Sequence, residues 1–179
     1  MDDACMITTY SGIRFNPIHP LPENIEIKDI AHALPLICRG NGQVTSFYSV
    51  AQHCIACANE AEARGYSKRV QLACLLHDAA ECYLSDVPRP LKTAMPQYHE
   101  FEDKLLTIIY GKFLGSDITE EENRLVREID DAMLHCDLEL LLKFDDGLKP
   151  ELHIDVSHEF VPFDEVEAQY MEIFSKLVG

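Results

Sequence analysis

Hydrophobic residues recur three and four positions apart along most of this chain, a spacing that gathers them on one face of an α-helix. Six stretches show the pattern, and they span residues 27–39, 46–64, 67–83, 97–114, 119–143 and 163–178. Ser67 and Thr119 begin two of these stretches, at positions where such residues commonly cap a helix. Pro35 predicts a kink or a break in the first stretch, because its ring cannot donate to the helical hydrogen-bond ladder. The pattern predicts an all-α fold, a compact bundle of about six helices.

The N-terminal residues follow a different pattern. Residues 6–10 and 13–15 have the residue pattern of β-strands, and Ser11-Gly12 between them is a common turn sequence. Residues 16–24 contain three prolines and predict an irregular connection, while residues 148–163 predict a second, looser one. We therefore expect a small β-hairpin ahead of the helices.

Composition limits the class of protein. With 179 residues, 47% of them hydrophobic, the chain suits a single compact domain over residues 1–179. No apolar run approaches the roughly 18 residues of a membrane span, and the acidic start lacks the basic and apolar regions of a signal peptide. We therefore expect a cytoplasmic protein with no membrane partner.

The seven cysteines lie mostly within helical patterns, which favours reduced, buried thiols over a disulfide framework. Cys54 and Cys57 have CxxC spacing. No second pair follows at the distance of a zinc ribbon, so core thiols are the favoured interpretation.

The formal net charge of −16 argues against a nucleic-acid partner, because binding to phosphate backbones depends on Lys and Arg. A small anionic substrate is compatible with this charge, since bound divalent cations invert the potential of an acidic pocket.

The most informative stretch is Leu-Leu-His-Asp-Ala-Ala-Glu at residues 75–81. On a helix His77 and Glu81 share a face, and Asp78 lies about 100° round from His77. Burying two carboxylates so close together is costly unless a cation neutralises them, and imidazole with carboxylate suits a divalent transition metal. The alternative is that His77 and Asp78 pair within a polar pocket, and for the dipeptide alone this alternative is favoured.

Other stretches offer further candidate ligands. His53 lies beside the inner stripe of the second predicted helix, where a lone histidine is more often a satisfied core residue. Asp130 and Asp131 interrupt an apolar part of the fifth helix and point about 100° apart, and either can be a solvated charge.

The loop at residues 84–92 contains two prolines that stiffen it and keep it from becoming a helix. Such a loop suits a segment that holds Asp86 and Lys92 in fixed directions, although an ordinary solvated turn is equally consistent with its composition.

Taken in order, His53, the His77-Asp78 pair and Asp130 resemble the ordered ligand set of the HD-domain metal-dependent phosphohydrolases. The similarity is closer to one branch, the bacterial 5′-deoxynucleotidases and related short phage-type enzymes. It is dense over residues 6–92 and thinner afterwards, and the segments that carry it are residues 6–15, 29–34, 37–39, 47–53, 75–92 and 126–137.

The resemblance implies four metal ligands, which are His53, His77, Asp78 and Asp130. Asp130 is preferred to Asp131 because the family pattern has an apolar residue four positions and an acid seven positions after the ligand. Leu134 and Asp137 match those positions.

The resemblance also implies roles around the metal. Glu81 would position or deprotonate the attacking water, with Asp86 assisting at the same cavity. Arg39 and Lys92 would hold phosphate, because a guanidinium grips phosphate oxygens with two donors and an ammonium supplies a compact charge.

The chain departs from the family pattern at three positions, and none of them removes a ligand. Ser85 stands where relatives commonly have Gly, Gln43 where many phage-type relatives have His, and Pro35 interrupts the helix leading to Arg39.

The function that the resemblance implies is metal-dependent hydrolysis of a deoxynucleoside monophosphate to the deoxynucleoside and phosphate. The cofactor is a divalent transition metal (Mn, Co, Zn, Ni or Fe), with Mg at additional sites, and relatives that form dimers or rings imply a homo-oligomer. One alternative is a dATP-type triphosphohydrolase that releases tripolyphosphate. A triphosphate needs more cationic partners, and the recognised loops offer few, namely Arg39, Arg89 and Lys92 together with extra metal ions. A second alternative is a catalytically silent nucleotide-binding module, and a third is a purely structural protein.

Overall fold

The computed structural model describes residues 6–145, 147–148 and 150–179. Its N-terminal part is an antiparallel hairpin of strands β1 (Ile7–Thr8) and β2 (Arg14–Phe15). Gly12 turns the chain between them with a φ of 79°, a conformation that glycine adopts without steric cost. The predicted hairpin is confirmed, and its strands are shorter than the sequence indicated.

Eight α-helices follow in the described part of the chain. They are α1 (Ile27–Ala33), α2 (Val50–Ala63), α3 (Lys68–Leu76), α4 (Glu81–Leu84), α5 (Arg89–Thr93), α6 (Pro96–Leu114), α7 (Glu120–Leu141) and α8 (Phe163–Val178). The structure confirms the predicted all-α bundle with a small N-terminal hairpin. The short helices α4 and α5 were not predicted as separate elements.

Helices α2 and α3 form the centre of the bundle. They pack against each other, both contact α7 and α8, and α3 also contacts α6. The fully buried side chains in this core include Ala51, Cys54, Leu75, Leu76, Ile109, Ile129, Met133 and Tyr170. Any polar side chain on the inner faces of α2, α3 or α7 is therefore surrounded by protein.

Helix α2 begins later than predicted, at Val50 rather than near Ser46. The Ser49 hydroxyl accepts a hydrogen bond from the Gln52 amide at 3.1 Å, and the Gln52 side chain accepts one from the Ser49 amide at 3.1 Å. This capping box fixes the first turn. Just before the helix, Ser49 forms an isolated antiparallel β-bridge with Cys38. The Arg39 amide donates to the Tyr48 carbonyl at 2.9 Å, so Arg39 lies beside the start of α2.

Two further differences concern the elements around residues 75–92. The predicted helix over 67–83 ends at Leu76, because residues 77–80 form tight turns in which Ala79 donates to Leu76 and Glu81 donates to Asp78. The prediction that two prolines keep residues 84–92 from becoming a helix was wrong, because residues 89–92 belong to α5. Pro90 lies in the first turn of α5, where the missing amide hydrogen of a proline costs no helical hydrogen bond. The break predicted at Pro35 is present, as α1 ends at Ala33 and a 3-10 turn follows.

No helix in the described ranges is long and apolar enough to cross a membrane. The six described cysteines are all free thiols, and Cys5 lies outside the described residues.

Candidate metal centre

The two histidines of the candidate site, His53 and His77, both point their Nε2 atoms towards the same two carboxylates. His53 is fully buried in the first turns of α2, and its Nδ1 is 3.1 Å from Asp137 Oδ2. His77 directly follows α3, and its Nδ1 is 2.7 Å from the Cys74 carbonyl oxygen. A carbonyl can only accept, so His77 Nδ1 is the donor and Nε2 is left to bind something else. Anchoring of this kind is how proteins orient metal-binding imidazoles.

Two carboxylates lie beside these Nε2 atoms. His77 Nε2 is 3.3 Å from Asp78 Oδ2 and 3.6 Å from Asp130 Oδ1. His53 Nε2 is 3.2 Å from the same Asp130 oxygen and 4.0 Å from Asp78 Oδ2. The four residues that the resemblance implies as ligands, from α2, the end of α3 and α7, therefore form one cluster.

The surroundings of His77 Nε2 indicate whether a metal ion fits the cluster. His77 Nε2 is buried and has no hydrogen-bond partner, although it faces two carboxylates. An unsatisfied buried polar atom costs about 1–3 kcal/mol, which a cation bound to its lone pair would recover. The donor atoms of His53, Cys57 and His77 lie within 4.8 Å of one another, as do those of Cys54, His77 and Asp78. This buried group of His, Cys and Asp side chains can hold a metal ion.

The cluster carries ionised carboxylates despite its burial. Burial on its own raises the pKa of Asp130, but the hydrogen bond from His53 and the nearby charges of His77 and His53 hold that pKa well below its usual value. Burial likewise opposes ionisation of Asp78, but the nearby charges of His77 and Arg39 lower its pKa. A divalent cation would replace the imidazole protons as the partner of these ionised carboxylates.

Arg39 is held against the cluster by a sharp turn. Its guanidinium is 3.2 Å from Asp78 Oδ2 and 3.5 Å from Asp137 Oδ2. The next residue, Gly40, has a φ of 59°, and its amide donates to Asp86 Oδ2 at 3.0 Å. Arg39 is thus a counter-ion to the candidate ligand Asp78, and its implied contact with phosphate stays a prediction.

Glu81 and Lys92 form a second pair next to the cluster. Glu81 is buried, and Lys92 Nζ donates to its Oε1 at 3.2 Å and to Glu102 Oε1 at 2.5 Å. Glu81 Oε2 is buried without a hydrogen-bond partner. Burial and the negative charges of Asp78 and Asp86 raise the pKa of Glu81 well above its usual value. A carboxyl with a raised pKa suits proton exchange close to neutral pH.

The two adjacent aspartates of α7 have different surroundings. Asp130 faces the histidines with 24% of its side chain exposed, whereas the Asp131 side chain is 54% exposed. Arg89 joins them on the outer side, at 3.3 Å from Asp130 Oδ2 and 2.9 Å from Asp131 Oδ1. Asp131 therefore lies outside the cluster.

Sequence analysis assigned no role in the site to two residues that contact it. Asp137 accepts from His53 and Arg39 through Oδ2, and its Oδ1 is 2.8 Å from His158 Nε2. Hydrogen bonds from His158 and His53 hold the pKa of Asp137 well below its usual value even though burial raises it. The seven-residue interval from Asp130 marked Asp137. No pattern marked His158, because it lies in an aperiodic segment.

A cleft of about 520 Å³ opens beside the cluster, between α6 and α7. His77, Asp78, Asp130 and Lys92 line one part of it, while Leu106, Tyr110 and Asn123 line another. This size is within the usual range for small-molecule sites. A cleft of about 610 Å³, bordered by Tyr66 and His135, has none of the candidate ligands in its lining and is less relevant to the site.

The fold and the site together define an all-α bundle protein with a buried His, Cys and Asp group that can hold a metal. No family model matches the chain. It is 36% identical over 144 residues to uncharacterized protein RCAP_rcc00048 of Rhodobacter capsulatus, covering 76% of this chain and 73% of that protein. It is also 37% identical over 107 residues to uncharacterized protein YfdR of Escherichia coli, covering 60% of this chain and 57% of YfdR. The chain belongs to the same family as the R. capsulatus protein, and its match to YfdR spans just over half of that protein's length.

Proposed function

We propose that this protein is an HD-domain metal-dependent phosphohydrolase that acts on deoxynucleotides, with deoxynucleoside monophosphates as its main substrates. The observation that carries the proposal is the shared orientation of two imidazoles. His53 and His77 both use Nδ1 within the protein and turn Nε2 to the carboxylates of Asp78 and Asp130. Ligand sets of imidazole and carboxylate suit divalent transition metals such as Mn, Co, Zn, Ni or Fe.

A divalent metal held by His53, His77, Asp78 and Asp130 would supply Lewis-acid activation of water and of a phosphoryl oxygen. Within hydrolysis, the role of Glu81 is to orient the attacking water and accept its proton at Oε2, the buried oxygen without a partner. Asp86 helps to set the charge on Glu81, since its carboxylate is one cause of the raised Glu81 pKa.

Two positively charged side chains, Lys92 and Arg39, lie at the edge of the cluster. Lys92 donates to Glu81 and Arg39 donates to Asp78, so both carry positive charge to the edge of the cluster. In the proposed reaction they offset charge on the phosphoryl oxygens as the bond to the leaving 5′-oxygen breaks. Folding already aligns Lys92 and Arg39, because a hydrogen bond to a carboxylate of the protein holds each of them.

The charge of the cleft favours a monophosphate over a triphosphate. Glu102, Asp103 and Asp117 line it together with Lys92 and Arg127, so acidic groups outnumber basic ones away from the cluster. Each additional phosphate brings negative charge towards those acids. The alternative, a dATP-type triphosphohydrolase, draws support from Arg127 in the cleft and from Arg89, which contacts Asp130.

The test is a product assay on the chelator-treated chain reloaded with Mn, Co, Mg or Zn. Deoxynucleoside mono-, di- and triphosphates are supplied, and chromatography separates deoxynucleoside, phosphate and tripolyphosphate. We expect phosphate from monophosphates, whereas tripolyphosphate would favour the alternative. Stoichiometric metal and bound nucleotide without any product would indicate a silent binding module.

Matched variants identify the site in that assay. Asp130→Asn should lose turnover and bind metal more weakly, while the neighbouring Asp131→Asn should keep both, since its carboxylate lies outside the cluster. Glu81→Gln should keep the metal and lose turnover. A wild-type rate for Glu81→Gln would remove Glu81 from the mechanism.

A further inference from the structure

Cys57 brings a sulfur atom to the candidate metal centre. It lies one helical turn after His53 on the same face of α2, and only 1% of it is exposed. Its Sγ is 3.6 Å from His53 Nε2, the ring atom that faces the cluster. The donor atoms of Cys57, His53 and His77 lie within 4.8 Å of one another.

The spacing agrees with two atoms bound to one ion. Nitrogen at about 2.05 Å and sulfur at about 2.3 Å from zinc are about 3.1 Å apart at a right angle and about 3.6 Å apart at the tetrahedral angle. The observed Cys57 Sγ to His53 Nε2 distance is 3.6 Å. A second observation is independent of the sulfur, because the buried His77 Nε2 points to the same place without a hydrogen-bond partner.

We propose that Cys57 is a further ligand of the metal and that its sulfur makes the centre select Zn²⁺, Co²⁺ or Fe²⁺ over Mg²⁺ and Mn²⁺. Thiolate ligands favour the softer ions, whereas a site of imidazole and carboxylate alone discriminates less. As the metal binds, the Cys57 S–H bond breaks, sulfur keeps the electron pair and the proton leaves to solvent. The proposal rests on the metal-binding part of the proposed function and is independent of hydrolysis.

Cys57 is a better candidate than Cys54, the other cysteine near the cluster. Cys54 follows His53 directly and so points about 100° away from it around the helix. Its sulfur groups with His77 and Asp78, whereas the Cys57 sulfur directly contacts the Nε2 atom of a ligand.

The experiment titrates the metal-stripped full chain with Co²⁺. Near-ultraviolet absorption records the sulfur-to-cobalt charge-transfer band, and equilibrium dialysis with elemental analysis gives the amount bound. We expect the band in the wild type and in Cys82→Ser, a control cysteine outside both donor groups. Cys57→Ser should still bind Co²⁺ through His and Asp, but without the band. It should bind Zn²⁺ at least about tenfold more weakly, since even residues that only support a ligand affect affinity that much, with little change for Mn²⁺.

Two results would overturn the proposal: stoichiometric Co²⁺ without the band in the wild type, or a band that survives in Cys57→Ser. If Cys57→Ser does not fold, X-ray absorption of the zinc form of Cys54→Ser decides, because that variant removes the other sulfur near the cluster. A sulfur neighbour at about 2.3 Å supports the proposal, and a shell of only nitrogen and oxygen overturns it. A band without nucleotide hydrolysis would reject the phosphohydrolase proposal and leave the Cys57 ligand standing, while failure of the wild type to bind Co²⁺ would reject both.

Discussion

Asp137 lies outside the proposed ligand set but fixes the orientation of the candidate ligand His53. Its Oδ2 is 3.1 Å from His53 Nδ1, and its other oxygen is 2.8 Å from His158 Nε2. With this hydrogen bond in place the His53 ring keeps the rotation that turns Nε2 inward. The geometry of the candidate centre therefore depends on a residue outside the proposed ligand set.

We predict that Asp137→Asn lowers Zn²⁺ or Co²⁺ affinity by about 10–100-fold, the usual cost of losing a group that supports a ligating histidine. Competition with a chelating dye measures the affinity, and the melting temperature checks that the variant folds. Asp131→Asn on the same helix is the control. Equal affinity of Asp137→Asn and the wild type would show that His53 needs no such support.

Ser85 is a residue whose backbone conformation conflicts with its type. Its φ of 72° and ψ of 158° lie in a region that is essentially restricted to glycine, and such strain costs about 1–3 kcal/mol. It ends α4 and precedes Asp86, so the strained turn directs the chain back towards the site.

We expect Ser85→Gly to raise the free energy of unfolding by about 1 kcal/mol, because relief of strain exceeds the entropy lost by ordering a glycine. Urea denaturation measures the change. Ser46→Gly, at an exposed position without a positive φ, should give no such gain. A destabilised Ser85→Gly would mean that the serine side chain contributes more than the strain costs.

At the scale of the elements, the start of α7 is fixed by side chains that the sequence already displays. Glu122 accepts from the Thr119 amide at 2.8 Å, and Arg69 Nε donates to its other oxygen at 2.8 Å. The hydrogen bond from the Thr119 amide is the main cause that lowers the pKa of Glu122, with Arg69 adding to it. The link to Arg69 ties α7 to the first turn of α3.

A lowered folded-state pKa means that the ionised Glu122 stabilises the fold above the usual pKa of 4.5 and loses that effect as the pH falls. We predict that Glu122→Gln reduces the free energy of unfolding by about 0.5–1 kcal/mol at pH 7, since glutamine keeps the cap but not the charge. The difference from wild type should shrink below pH 4.5. Urea denaturation at several pH values measures it, with Glu120→Gln as the control, and a pH-independent difference would contradict the prediction.

Local patterns predicted those elements whose ends are determined locally. The start of α7 at Glu120 follows its capping box, α8 spans the predicted residues Phe163–Val178, and α1 breaks before Pro35. The predicted end of the third helix near Tyr83 was wrong. The apolar spacing continues to that residue, but α3 ends at Leu76 because the turns at 77–80 break the helical hydrogen bonds. Tertiary packing overrides helical periodicity there.

The candidate site was predictable to a similar extent. His53, His77, Asp78 and Asp130 were named because their order resembles the ligand set of a known family, and they lie together in the structure. His158 could not be found in this way, since its contact with Asp137 depends on how an aperiodic segment packs.

At the scale of the whole molecule, the candidate ligands connect three helices that also form the core. His53 belongs to α2, His77 and Asp78 follow α3, and Asp130 belongs to α7. A metal that binds the folded chain more tightly than the unfolded chain stabilises it by mass action.

We predict that Zn²⁺ or Co²⁺ at 100 times its dissociation constant stabilises the chain by about 2.7 kcal/mol. For a chain of this size that corresponds to a rise in melting temperature of several degrees, and calorimetry with and without chelator measures it. Asp78→Asn, which lacks one ligand charge, should show a much smaller rise. Equal shifts in both proteins would place the ion elsewhere.

The spread of the site along the chain has a consequence for synthesis. Asp130 follows His53 by 77 residues, and His158 comes 21 residues after Asp137. A growing chain that has emerged only as far as α6 carries both histidines of the cluster and Asp78, yet none of the acids of α7. The full set of four candidate ligands can therefore come together only after α7 has left the ribosome.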